Sequence, residues 1–363
     1  MVTISVDEMV NLLAKMYVQA IEKKCSIETL PSVMLWGAPG VGKSQGVHQV
    51  AKEMEKKTGK KVHVTDVRLL LFNPIDLRGI PVANAEKTLA VWLKPQIFQM
   101  DESSEVIHIL FLDEISAAPQ SVQAAAYQIV LDHTIGEHHL PKNCLVIAAG
   151  NRVTDKSVAY KMPKALANRL LHLEIEGNFA SWKKWAIQNG IHEKVIGFLS
   201  FRQDALFGFD ATKDDLAFPT PRTWEMVSRV LQMLPDEGKE IYPLIAGLIG
   251  KGTAVEFSAW CRIYQHLPNI TKIFQGLETE VPQKSDTLFA VVSSMTVYAR
   301  EHQKDLNAIR NSIRYTRKMP PEYAALLLEN YLLIGEEFAK TIKKMPEFME
   351  YCEQRGILLN GHI

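Results

Sequence analysis

Apolar residues recur at three- and four-residue spacings through Val6, Met9, Val10, Leu13, Met16, Tyr17, Ala20 and Ile21, which predicts an amphipathic helix from Val6 to Lys24. A short apolar run, Ser32–Trp36, stops at Gly37 and reads as a strand. Lys43–Lys57 has a helical pattern closed by Gly59, a residue suited to the left-handed cap. Val62–Val67 alternates as a half-buried strand does, while Val106–Leu112 is almost unbroken apolar up to Asp113. That second pattern belongs to a strand covered on both faces of a parallel sheet. Ser121–Leu131 follows Pro119 as a helix, Cys144–Ala149 reads as another buried strand, and Leu171–Ile175 as a further one. After Gly177 the strand signal ends. Residues 179–363 read as helix after helix, with breaks at Gly190, Pro219 and Pro221, Pro235–Gly238, Pro243, Pro268, Pro282 and Pro320–Pro321.

Strands alternating with helices specify a parallel α/β sheet. The expected organisation is an α/β core over 1–176 followed by an all-helical region over 177–363. No internal repeat or low-complexity stretch interrupts it. The length, 363 residues, suits two domains, or one with a lid. Lys plus Arg and Asp plus Glu each number 41, so the formal charge is zero. A balanced chain argues against a nucleic-acid coat, although a local basic channel remains compatible with it. With 47% hydrophobic and 23% charged residues, the composition is that of an ordinary globular protein.

The segment Met1–Asn11 has no basic stretch followed by a small-residue cleavage site. Val106–Leu112 falls short of the roughly 20 residues a membrane span needs, and Ile241–Ile249 contains Pro243 and Gly247. The expectation is a cytoplasmic, soluble chain. Its cysteines stand at 25, 144, 261 and 352, the closest two being 91 residues apart, so they form no C-x-x-C site and read as reduced thiols.

The chemistry starts at Gly37-Ala38-Pro39-Gly40-Val41-Gly42-Lys43-Ser44, which fits G-x-x-x-x-G-K-[ST] with a strand before it and a helix after it. Glycines let backbone N–H groups turn inward around phosphates. Lys43 would reach the β and γ phosphates, the Ser44 hydroxyl would bind Mg²⁺, and the helix N-terminus adds partial positive charge. Asp113 and Glu114 end the most apolar strand. Asp113 is placed to hold the hydration shell of Mg²⁺, and Glu114 to polarise a water for in-line attack on the γ phosphate. The pair points to an NTPase. Of the remaining histidines, His108 reads as a core residue. The adjacent His138 and His139 would face opposite ways on a strand, which disfavours a shared metal.

The order of phosphate loop, acidic pair and a strand ending at Gly150-Asn151-Arg152 resembles the AAA+ ATPases. In that family the asparagine is sensor 1, which Asn151 matches. Met162-Pro163-Lys164-Ala165-Leu166-Ala167-Asn168-Arg169-Leu170 is similar to the segment carrying the arginine finger. The resemblance therefore implies that Arg169 reaches a neighbouring subunit's nucleotide, with Arg152 as its rival. Phe218-Pro219-Thr220-Pro221-Arg222-Thr223-Trp224 resembles sensor 2, so Arg222 would contact phosphates from the lid. Two hairpin inserts are expected, at about 74–98 and 131–141. Inserts at both places resemble the helix-2-insert group and most closely its MoxR branch. The likeness spans about residues 30–235. It implies a hexameric ring that hydrolyses ATP with Mg²⁺ and remodels a protein client, partners in that branch often carrying a von Willebrand factor A domain. Trp92, in the first insert, is either a hairpin-packing residue or a client contact. The alternative of another class is an NTP-driven DNA translocase or restriction-type subunit, which the absent basic excess and the absent extra nucleic-acid domain disfavour.

Overall fold

The computed structural model describes residues 2–152, 162–210, 212, 215–234, 240–278 and 280–354. The chain forms two compact units that part between Asn178 and Phe179. The first contains strands β1 (Thr3–Ser5), β2 (Val33–Trp36), β3 (Lys61–Arg68), β4 (Ile80–Ala83), β5 (Ala90–Leu93), β6 (Val106–Asp113), β7 (Thr134–Ile135), β8 (His138–His139), β9 (Cys144–Gly150) and β10 (Leu171–Glu176). Its helices are α1 (Val6–Glu22), α2 (Lys43–Thr58), α3 (Pro74–Arg78), α4 (Gln120–Asp132) and α5 (Lys164–Ala167).

A six-stranded sheet runs in the order β1-β10-β2-β9-β6-β3 with every neighbouring pair parallel. This is the P-loop core of the AAA+ fold. β9 is buried throughout and β6 is buried up to Asp113, as their continuous apolar runs require. Met34, Leu110, Leu112 and Ala148 pack beneath Val122, Ala126 and Ile129 of α4. Gly59 closes α2 at φ 70°. The edge strand β1 is an addition to the expected set. Three residues are too few to display an alternation, and Ser5 also caps α1, accepting from the Glu8 N–H at 3.2 Å while its own N–H donates to Glu8 at 2.8 Å.

Two antiparallel hairpins stand apart from the sheet, β4–β5 and β7–β8. The first is entered through α3 rather than directly from Asn73. Asn73 and Asp76 form a capping box around Pro74, which suits the first helical turn.

The second unit is helical: α6 (Phe179–Gln188), α7 (Glu193–Phe201), α8 (Pro221–Met233), α9 (Tyr242–Ile249), α10 (Lys251–Cys261), α11 (Ile270–Phe274), α12 (Ser285–Glu301), α13 (Leu306–Thr316), α14 (Pro321–Leu333), α15 (Glu336–Lys343) and α16 (Pro346–Gln354). Phe198 meets Trp224 and Phe257 at ring separations of 5.4 and 5.3 Å, and fully buried Trp224 donates its indole N–H to the Ala205 carbonyl at 2.8 Å. Pro243, expected to break a helix, instead lies in the first turn of α9, where its missing N–H costs nothing. The expected break at 235–238 lies outside the described residues. Among the described residues, no helix is long and apolar enough to cross a membrane.

Candidate active site

The buried strand β2 delivers the chain to Gly37, and the loop that follows turns through Gly40 and Gly42 at φ 78° and 106°. Side chains seldom adopt that region, which is why glycines stand there. Ala38 and Val41 pack inward, while Pro39 and Gly40 form the half-exposed tip. Gly42 caps α2. No side chain caps the helix and its first turn carries no acid, so the leading N–H groups are left for an anion.

Lys43 is only 8% exposed. Its ammonium donates to the carbonyls of Gly37 and Ala38 at 2.6 and 3.1 Å and to Asn151 Oδ1 at 3.1 Å. The loop lysine and the asparagine ending β9 therefore converge on one point. The Asn151 backbone N–H is anchored on Ser116 Oγ at 2.9 Å. A Cβ on the preceding Gly150 would lie 2.8 Å from that same oxygen, so only glycine lets β9 pass this close.

Ser44 Oγ donates to Asp113 Oδ2 at 2.8 Å. This bond joins the start of α2 to the end of β6. It fixes the hydroxyl proton on the carboxylate and turns the serine lone pairs outward. A hydroxyl and a carboxylate side by side are the hard oxygen donors that suit Mg²⁺, one as a ligand and the other through a bound water. Asp113 Oδ1 also accepts from the Glu114 N–H at 2.9 Å. Glu114 itself sits at φ 59°, a conformation rare for residues with a side chain and typical of functional sites. The turn is held by Ile115 N–H donating to the Ala149 carbonyl at 2.9 Å, so β6 and β9 together aim the half-exposed Glu114.

The two candidate arginines differ. Arg152 is tied to Glu174 of β10 at 2.7 Å, both groups being partly buried. Arg169, with its side chain 54% exposed, pairs with Asp132 at the end of α4 at 3.1 Å. A hydrogen-bonded link leads from β2 toward the segment that carries Arg169. The Trp36 indole donates to His172 Nδ1 at 2.9 Å, and His172 Nε2 then donates to the Ala167 carbonyl at 2.7 Å. The accepting Nδ1 fixes the imidazole tautomer. The residue before the phosphate loop is thereby connected to α5, just ahead of Arg169. Arg222, in the second unit, is exposed in the first turn of α8, behind a Thr220–Thr223 capping box, and has no ion-pair partner among the described residues.

Three contributors escape the sequence reading: Ser116, Arg68 and Asp66. The β3–β6 register sets Arg68 opposite Asp113, with Asp66 on the same face. Partial burial and then the Asp113 carboxylate push the Asp66 carboxyl up, against the pull of Arg68 and His48. Alternation in β3 shows which residues share a face, but only the register reveals what they oppose. The inserts also meet: His138 Nε2 is 2.8 Å from the Trp92 carbonyl. On the β4–β5 ribbon, Ile80 and Leu93 are 58% and 56% exposed and stand opposite each other, with Val82 and Val91 paired beside them.

Residues 32–172 match the family described as "ATPase family associated with various cellular activities (AAA)". No curated protein matches the chain significantly. Among solved structures, a Thermotoga maritima RuvB mutant is similar at 16% identity and a TM-score of 0.37, covering 94% of this chain and 98% of that one. Caenorhabditis elegans PCH-2 is similar at 13% identity and a TM-score of 0.35, covering 82% and 68%. A putative ATPase from Cytophaga hutchinsonii is similar at 15% identity and a TM-score of 0.31, covering 93% and 84%.

Proposed function

We propose that this protein hydrolyses ATP with Mg²⁺ and uses the cycle to remodel a protein client, working as a ring, in the manner of the MoxR branch of AAA+ ATPases. The observation carrying the catalytic part is the convergence of Lys43, Asn151, Ser44 and Asp113 through bonds of 2.8 and 3.1 Å at the mouth of one glycine-rich loop. Ser44 would hold Mg²⁺ directly and Asp113 through water, and the ion would supply positive charge against the phosphates. Lys43 would exchange its carbonyl partners for β and γ phosphate oxygens. The loop N–H groups would orient the phosphate chain. Glu114 would accept a proton from the attacking water as the bond from the γ phosphorus to its bridging oxygen breaks, giving ADP and phosphate. Asn151, already bonded to Lys43, would hold that water or report the γ phosphate.

Arg169 is the proposed trans finger. Its exposure and its solvent-screened pairing with Asp132 leave it available to a neighbour, whereas Arg152 is held by β10 in its own subunit. Arg222 would sense phosphate from the helical unit. The ring is proposed to be hexameric. The apolar ribbon β4–β5 is the proposed client contact, and a client with a von Willebrand factor A domain is the one the MoxR resemblance favours. The Trp92 carbonyl bond to His138 supports a second role for that residue, joining the two inserts.

Phosphate release from ATP, measured with and without Mg²⁺ and with and without DNA, tests the reading. We expect Mg²⁺-dependent turnover indifferent to DNA. In Glu114→Gln, ATP should still bind while turnover falls by roughly 10²–10⁴, the usual contribution of a positioned base. Wild-type turnover in that variant would remove Glu114 from its role, and strong stimulation by DNA would favour a translocase.

A further inference from the structure

The helical unit holds a cavity of about 1150 Å³ that the nucleotide chemistry does not use. That volume is ample for a small ligand. Part of its wall is apolar and buried: Leu231 of α8, Ile241 at the N-terminal cap of α9 and Ile245 within α9. Another part is acidic and hydroxylic, formed by Glu193 at the start of α7 and by Ser294 and Glu301 of α12.

Two features of this polar wall call for a ligand. Ser294 is 4% exposed, and its Oγ has no hydrogen-bond partner among the described residues. Burial pushes the Glu193 pKa up and Glu301 adds to the rise, while the nearby Ser294 hydroxyl, Lys194 and Arg300 draw it down. A buried hydroxyl left without a partner is uncommon and costly in native proteins. Glu193, in turn, is within ion-pair distance of no cation among the described residues. Glu301 differs, since Arg300 stands 3.5 Å from it.

The sign of the missing group follows from what surrounds it. An anion would face Glu193 and Glu301 together. A cation would meet Glu193, which has no ion-pair contact among the described residues, donate to Ser294 Oγ, and lie beside Tyr264. The Tyr264 face already attracts one ammonium, that of Lys194, 5.9 Å from the ring centre. Lys194 and the solvent-exposed Arg262 also line the cavity, but neither lies within ion-pair distance of a carboxylate among the described residues, and Lys194 acts on Glu193 only through space. The Tyr264 hydroxyl is already engaged, with the Glu193 carbonyl at 3.1 Å and Ser293 Oγ at 2.8 Å.

We propose that this cavity binds a small organic cation, a protonated amine on an apolar stem, with its head on Glu193 and Ser294 and its stem against Leu231, Ile241 and Ile245. Ligand-observed NMR titration of the full chain with n-hexylammonium, hexan-1-ol and hexanoate tests this without any substitution. Hexylammonium should bind at least roughly tenfold more tightly than hexanol, the scale of one hydrogen bond to a charged group, and hexanoate most weakly. Glu193→Gln, which keeps the shape, should bring hexylammonium down to the affinity of hexanol. Ser294→Ala should weaken it severalfold. A capped lysine amide carries the same head on a bulkier, more polar body and should bind more weakly than hexylammonium. Equal affinities for amine and alcohol, a preference for hexanoate, absence of binding, or indifference to Glu193→Gln would each overturn the proposal. Tighter binding of the capped lysine would overturn the assignment to a small free amine.

Discussion

Lys43 spends its buried charge on two carbonyls and one amide oxygen, all of them close to where phosphate oxygens would lie. A buried ammonium needs such partners, and a polyphosphate supplies better ones. Lys43→Ala should therefore abolish measurable ATP binding in a titration, with little loss of fold. Unchanged affinity would remove the loop from its proposed role. Gly150 makes a different prediction. Its Cβ would meet Ser116 Oγ at 2.8 Å and Met34 Cε at 2.9 Å in a fully packed layer. Gly150→Ala should cost about 1–3 kcal/mol in chemical denaturation, as overpacking does, and should displace Asn151. A variant of wild-type stability and turnover would show that β9 and the turn carrying Ser116 can separate freely. Glycine at that position was visible in the sequence, but its reason was not. The reason is a hydroxyl 34 residues upstream, and contacts across a sheet leave no local pattern.

At the scale of elements, legibility followed length and periodicity. β6 and β9 were readable because a strand buried on both faces needs an unbroken apolar run. Gly59 closed α2 where the pattern stopped, because a left-handed cap admits few other residues. β1 was missed because three residues carry no period. Pro243 was misread because the rule against proline inside a helix holds only beyond the first turn. The β3–β6 register, which sets Arg68 beside Asp113, had no sequence signal at all. Packing of helix upon helix was equally hidden, and it creates a testable oddity in α6. Lys183 is 7% exposed, and burial lowers its pKa to about 8 despite the opposing pull of Glu329. In the folded state the ammonium is thus disfavoured. The unfolded chain binds the proton more tightly, so stability should rise with pH between about 8 and the ordinary lysine value of 10.5. Lys183→Met should be more stable than wild type at pH 7. That advantage should shrink steadily across the same window. Urea denaturation at several pH values measures it, and a gap that stays constant with pH would mean that Lys183 is not a buried base.

For the whole molecule, the question is whether one chain suffices for catalysis. Its own site gathers Lys43, Ser44, Asp113 and Asn151, yet the arginine proposed to neutralise the γ phosphate in the transition state points to a surface carboxylate, Asp132. The Trp36–His172–Ala167 chain offers a route by which the state of one phosphate loop would bias the segment presented to the next subunit. If Arg169 acts in trans, specific ATPase activity should rise with protein concentration and level off as rings form. ATP should promote assembly, because it binds the assembled state best. Arg169→Ala should keep near-normal ATP affinity and lose turnover, by roughly 10³–10⁵ if it matches the arginine fingers of related phosphoryl transfer. Mixing decides the geometry. Arg169→Ala and Glu114→Gln chains should each be nearly inactive alone, but a mixed ring would contain interfaces that join an intact Glu114 to an intact Arg169. Activity should partly return at those interfaces. No such return would come from a cis arginine, since each chain would then carry its own defect into every site. Mixed assembly, established by native mass spectrometry, without recovered turnover would therefore place Arg169 in its own subunit's site or in a structural role.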